Sequence, residues 1–161
     1  MKLVRYEDSD LALSEALETD PEVMRELGGP IDPARLREVA HPRRVDDPWY
    51  FTIIPDPGGP KAGTIGIWDK ELDGAVIHET GWMVLPAFQR RGIATRALGL
   101  LIARARDASE FPSMHAFPPI SNAPSNALCR KFDFTLLGQR AFVYAGRTLE
   151  CNHWMLDLTS V

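Results

Sequence analysis

The stretch FQRRGIATRAL, Phe88 to Leu98, places two arginines ahead of a glycine and then opens at once into an apolar pattern of helical spacing. Ala94, Leu98, Leu101, Ile102 and Ala105 fall on one face of a helix expected to run to about Arg106. Before it, AVIHETGWMVL (Ala75–Leu85) reads as a strand that stops at Pro86. A helix N-terminus leaves unpaired backbone N–H groups and the positive end of the peptide dipoles, so a strand–loop–helix passage favours an anion there. Gly92 removes a side chain where a ligand presses on the backbone, and Ala94 keeps the next inward position small. Arg90 and Arg91 add charge suited to phosphates. An ordinary turn with solvated arginines has the same local appearance, so the wider pattern decides. Neither G-x-x-x-x-G-K-[ST] nor a strand-to-helix G-x-G-x-x-G is present to compete.

Outward from this loop the chain organises as follows. Leu3–Arg5 reads as a short strand, and SDLALSEALETDPEVMREL as two helical segments parted by Pro21. IDPARLREVA restarts a helix, with Asp32 as N-cap and Pro33 at its first position. WYFTII (Trp49–Ile54) and TIGIW (Thr64–Trp68) make a hairpin across PDPGGPKAG. SMHAF reads as a strand, SNALCRKF as a short helix, and TLLGQRAFVYA and TLECNHWMLDLT as a last hairpin joined across Gly146. No repeat, linker or low-complexity segment interrupts residues 1–161, so one domain is expected: a mixed sheet covered by helices.

The 161 residues suffice for one sizeable core, and 45% hydrophobic with 25% charged residues fits a globular chain. A net charge of −4 argues against a general binder of nucleic acid or anionic membranes. No apolar run of about 18 residues spans a membrane, and the N-terminus lacks the apolar core of a signal peptide, so cytoplasm is the expected location. Cys129 and Cys151 make no disulfide framework, and no Cys/His spacing suggests a metal.

QRRGIA, Gln89–Ala94, resembles the [QR]-x-x-G-x-[GA] acyl-CoA signature of the GNAT superfamily of N-acyltransferases. NAPSNALCRKFDF, Asn122–Phe134, resembles that superfamily's second marker, N-x-x-S-x-x-L-x-x-K-x-G-F. DPEVMRELGGP and ETGWMV resemble the branch that contains ribosomal-protein N-terminal acetyltransferases. The resemblance runs over nearly the whole chain, in order. It departs at Asp133, where the family has a glycine; a turn needing positive φ is expected there, which Asp tolerates better than most residues.

The resemblance implies a mostly antiparallel α/β sheet with a V-shaped splay between two central strands, flanked by helices. It further implies acetyl-CoA as cosubstrate, with its pyrophosphate on Gln89, Arg90, Arg91, Gly92, Ile93, Ala94 and Thr95. The pantetheine arm would pair with the backbone near Met83 and Val84 and with Asn122, a residue that also suits helix capping. A backbone N–H near Val84 would face the thioester oxygen.

Acyl transfer to an amine needs a base for the amine and a donor toward the departing thiolate. Glu79, two residues before Gly81, matches the branch's strand glutamate and is the candidate base. His78 points to the opposite face by strand alternation. Many superfamily members have a tyrosine seven residues after the asparagine; Cys129 stands there, so Ser125, matching the branch's serine, becomes the candidate donor to the thiolate. Tyr144 is expected to line the acceptor pocket or to pack, and Trp68, Trp82 and Trp154 to lie in the core.

Three functions fit: acetyl transfer to a peptide N-terminal α-amine, acetyl transfer to a small amine such as a polyamine, antibiotic or amino-acid derivative, and a non-catalytic acyl-CoA-binding regulator. Expected partners are acetyl-CoA and an amine acceptor, with a homodimer as an assembly open to the chain.

Overall fold

The computed structural model describes residues 1–144 and 146–160. Seven strands are β1 (Lys2–Arg5), β2 (Tyr50–Ile54), β3 (Gly63–Leu72), β4 (Ala75–Val84), β5 (Ser113–Ala116), β6 (Thr135–Tyr144) and β7 (Arg147–Asp157). Their hydrogen-bonding order is β1-β2-β3-β4-β5-β7-β6. The sheet is mixed and mostly antiparallel, with β4 and β5 its parallel pair. Glu79 opposite His115 is the registered pair there; β4 continues to Val84, whereas β5 ends at Ala116.

The helices are α1 (Leu11–Glu18), α2 (Pro21–Met24), α3 (Pro33–Arg35), α4 (His41–Asp46), α5 (Ile93–Ala108) and α6 (Ala123–Lys131). The expected Asp32–Pro33 start is present: the Asp32 carboxylate accepts from Ala34 N at 3.0 Å. Asp20 caps α2 in the same way, through Glu22 and Val23. Leu36–Ala40 is a π-helical turn that feeds α4 directly. Pro42 explains it: lacking an N–H and clashing with the carbonyl four residues back, it is accommodated by one widened turn. No helix among the described residues is long and apolar enough to cross a membrane.

The chain divides into two compact units, the first comprising Met1–Arg25, Gly29–Gly66 and Trp82–Leu101. Here Tyr6, Leu17, Leu36, Ile53 and Ile65 are fully buried, and so are Leu98 and Leu101 of α5. Polar groups join them. Tyr6 Oη bonds Ser14 Oγ at 2.7 Å and His41 Nδ1 at 2.8 Å, while buried Asp10 accepts from Thr52 Oγ1 at 3.0 Å and pairs with Lys61. Arg44 Nη2 donates to the buried Glu18 at 2.8 Å.

The second unit comprises Glu26–Gly28, Ile67–Gly81 and the chain from Ile102 onward. Asp73 (φ 52°) and Gly74 (φ 79°) make the two-residue left-handed turn between β3 and β4. Asp133 adopts φ 61°, as expected for the residue replacing the family glycine. Strand alternation gives this part of the sheet two faces. Asn152, Trp154 and Leu156 are buried with Met114 and Ala116 on one face, where Asn152 and Trp154 both donate to Asn126 Oδ1 of α6. His115, Phe117, Phe142, Cys151 and His153 stand on the other, in register with Glu79.

Candidate active site

The first unit holds the loop, and its geometry is a backbone geometry. Pro86–Phe88 forms one 3₁₀ turn, after which Gln89 Nε2 donates to the Val84 carbonyl at 3.0 Å and ties the loop to the end of β4. Arg90 (φ 62°) and Gly92 (φ 71°) are both left-handed. Arg96 N donates to Gly92 O at 3.0 Å as helix α5 begins, so the N–H groups of Ile93, Ala94 and Thr95 lie in its first turn. A Cβ on Gly92 would meet nothing within 4 Å, and Arg90, Arg91 and Gly92 are exposed. Buried Ile93 anchors this mouth, and Arg91 lies 5.6 Å from the Phe88 ring centroid. The left-handed Arg90 was not foreseen; it rotates successive backbone groups as an anion-binding concavity requires. Met83 is half-buried and Val84 buried beside the closely approaching β3 at Gly63.

The second unit holds Glu79, and its geometry is one of side chains. Trp68 Nε1 donates to Glu79 Oε2 at 3.1 Å, and Lys70 Nζ lies 3.4 Å from the same oxygen. Among the described residues, both of these side-chain contacts fall on Oε2 and neither on Oε1. The Glu79 side chain is only 14% exposed, so it is not a solvated strand carboxylate. Gly81 makes this possible: a Cβ there would meet the Trp68 ring at 2.7 Å. Lys70 Nζ also stands 4.5 Å from the Phe142 centroid and 5.5 Å from that of Phe117, whose rings meet edge to face at 5.2 Å.

His115 Nδ1 and His153 Nε2 are 2.8 Å apart, with Phe117 stacked on His153 at 4.5 Å. Burial, then the neighbouring His115, takes His153 down to about 4, and burial also lowers His115. Both rings are therefore neutral at pH 7. His78 pairs with Asp69 at 2.9 Å and packs edge-on against Phe111. Tyr144, on the last strand pair, is 48% exposed; desolvation of its phenol, then the Glu79 charge, raises its pKa.

At the start of α6, the Asn122 side chain accepts from Ser125 N at 3.3 Å and caps the helix. Ser125 is half-buried one turn in. Asn126 Nδ2 donates to the carbonyls of Pro119 and Asn122 at 3.0 and 2.8 Å, which fixes the cap from behind. Cys129 is fully buried, and burial pushes its thiol up to about 12. Such a thiol is no proton donor at neutral pH.

Two expectations about tryptophan need correction. Trp154 is in the core, but Trp68 and Trp82 are only half-buried, and Trp68 holds Glu79 instead. Trp68 was nonetheless findable. A two-residue turn at Asp73-Gly74 pairs position 72 with 75, and counting back along both strands sets 68 opposite 79. Lys70, Phe117, Phe142, His153 and Asn126 were missed as well.

The acetyltransferase (GNAT) domain family matches residues 1–135. No curated protein matches the chain. Among solved structures, a GNAT-family acetyltransferase from Bacillus anthracis superposes with TM-score 0.81 at 16% identity, covering 98% of this chain and 95% of that one. Ribosomal-protein-alanine N-acetyltransferase from Brucella melitensis gives 0.75 at 20% identity, over 98% and 99% of the two chains. Spermidine N-acetyltransferase from Vibrio cholerae, in complex with CoA and spermine, gives 0.79 at 14% identity, over 98% and 95%.

Proposed function

Since the chain belongs to the acetyltransferase (GNAT) domain family, we propose that it is an acetyl-CoA-dependent N-acetyltransferase whose acceptor is the α-amine of a peptide or protein N-terminus. The observation that carries the chemistry is the half-buried Glu79 carboxylate, held at Oε2 by Trp68 and Lys70 with Oε1 to spare. A carboxylate fixed on one oxygen offers the other to a proton without having to reorient.

The residues of the α5 mouth fit the cosubstrate. Two left-handed residues, exposed arginines and an open space over Gly92 suit a pyrophosphate pressed against the backbone. Gln89 to Thr95 would hold it, with the backbone of Met83 and Val84 and the side chain of Asn122 along the pantetheine arm. Acetyl-CoA supplies the acyl group as a thioester. Glu79 receives the acceptor's proton at Oε1. The Ser125 hydroxyl donates a hydrogen bond toward the sulfur, a role that complete burial denies Cys129.

The α-amine reading rests on the ETGW and DPEVMRELGGP resemblance and on nucleophile strength. An α-amine titrates near ~8 and is partly neutral at pH 7.5, whereas lysine, near ~10.4, is neutral to about one part in a thousand. A small cationic amine is the second reading, favoured by the aromatic rings around the Lys70 ammonium. One panel tests both. With acetyl-CoA, peptides with free N-termini should turn over faster than N-terminally blocked peptides containing lysine. Turnover with spermidine alone transfers the assignment to small amines, and release of CoA with no acceptor in the panel rejects both.

A further inference from the structure

Lys70 stands in an unusual place for a strand lysine. Its ammonium faces the Glu79 carboxylate at 3.4 Å and the Phe142 and Phe117 rings at 4.5 and 5.5 Å, with the side chain 22% exposed. A carboxylate on one side and two ring faces on the other is the set of contacts by which proteins bind a free ammonium. Met114, Trp154 and Leu156 form a core on the other face of the sheet, and none of the four residues is fully buried.

We propose that Glu79, Phe117 and Phe142 form a subsite for the acceptor's primary ammonium, and that Lys70 is its internal occupant, displaced when the acceptor binds. This rests on the reading of Glu79 as the group that meets the acceptor. Lysine suits the part. Its strongly hydrated head sits on a flexible four-carbon stem, so it can swing to solvent and recover its hydration. Binding then exchanges one ammonium for another, and the acceptor's apparent affinity is lowered by the fraction of time that Lys70 fills the subsite. The subsite therefore selects a ligand that offers more than a bare ammonium, with further contacts beyond the cup.

Lys70→Met tests this, because it keeps an apolar stem against the rings and removes the charge. Titrated calorimetrically with ethylammonium chloride and with a tripeptide bearing a free α-amine, both without acetyl-CoA, the variant should bind about tenfold more tightly than wild type. Its acceptor KM should fall by a similar factor. Lys70→Arg, which restores a cation, should bind the two probes like wild type. Phe142→Leu placed on Lys70→Met should undo about fivefold of the gain, and melting curves confirm that each variant is folded. Unchanged or weaker amine binding in Lys70→Met overturns the proposal. The calorimetric readout separates this from the base assignment: Glu79→Gln with wild-type kcat would refute Glu79 as the base while leaving tighter binding to Lys70→Met intact.

Discussion

Two polar clusters in this chain use the same kinds of residue to opposite ends. In the first unit, Asp10, Ser14, Glu18, His41 and Thr52 are all buried, and each is bonded within the protein. In the second, Glu79 and Lys70 face each other at 3.4 Å with side chains 14% and 22% exposed, and both of the side-chain contacts that hold Glu79 fall on one oxygen. The first cluster pairs its polar side chains with one another, as a structural role requires. The open one keeps an acceptor atom in reserve within a partly desolvated setting, which is what proton transfer needs. Charge and burial alone do not tell the two apart; the count of satisfied atoms does.

The comparison breaks most visibly at Glu79. Glu79→Gln should lower kcat by about 10²–10⁴-fold, with the melting temperature and acetyl-CoA affinity close to wild type. A variant with wild-type kcat would reduce Glu79 to a structural carboxylate like Glu18. The converse holds at Arg44, which lies 2.8 Å from Glu18 and 5.1 Å from the Tyr50 ring centroid. Arg44→Met leaves Glu18 buried and unpaired and should cost about 3–5 kcal/mol, read from denaturant unfolding. Turnover per folded molecule should stay within a few fold; a large loss there would make the closed cluster part of the chemistry.

The loop sharpens the contrast, since the site proposed there rests on backbone rather than side chains. Acetyl-CoA at 100 times its dissociation constant should stabilise wild type by about 2.7 kcal/mol, a melting shift of roughly 5 °C for this size. Gly92→Glu sets a carboxylate where the phosphates would lie and should abolish that shift. Because the Cβ position is open, the variant keeps its fold, strained only by φ 71°. An undiminished shift would move the cosubstrate elsewhere.

What the sequence determined by itself is what a few neighbouring residues determine among themselves. The Asp32–Pro33 helix start, the left-handed turn at Asp133 and the amphipathic α5 behind Gln89–Thr95 all depend on local hydrogen bonds, φ preferences and periodicity. Each was legible for that reason, and the register that sets Trp68 against Glu79 was also there to be counted. At His41–Pro42 the helical path continues through a proline, which is absorbed by a π turn. The surroundings of Glu79 belong to the tertiary structure. Phe117 and Phe142 reach Lys70 from distant strands, just as Thr52 and Lys61 reach Asp10 across 42 and 51 residues. No spacing rule links such positions. They meet because tertiary packing brings together side chains that neither sequence distance nor strand pairing makes neighbours: β4, β5 and β7 lie between the strands of Lys70 and Phe142 in the sheet order.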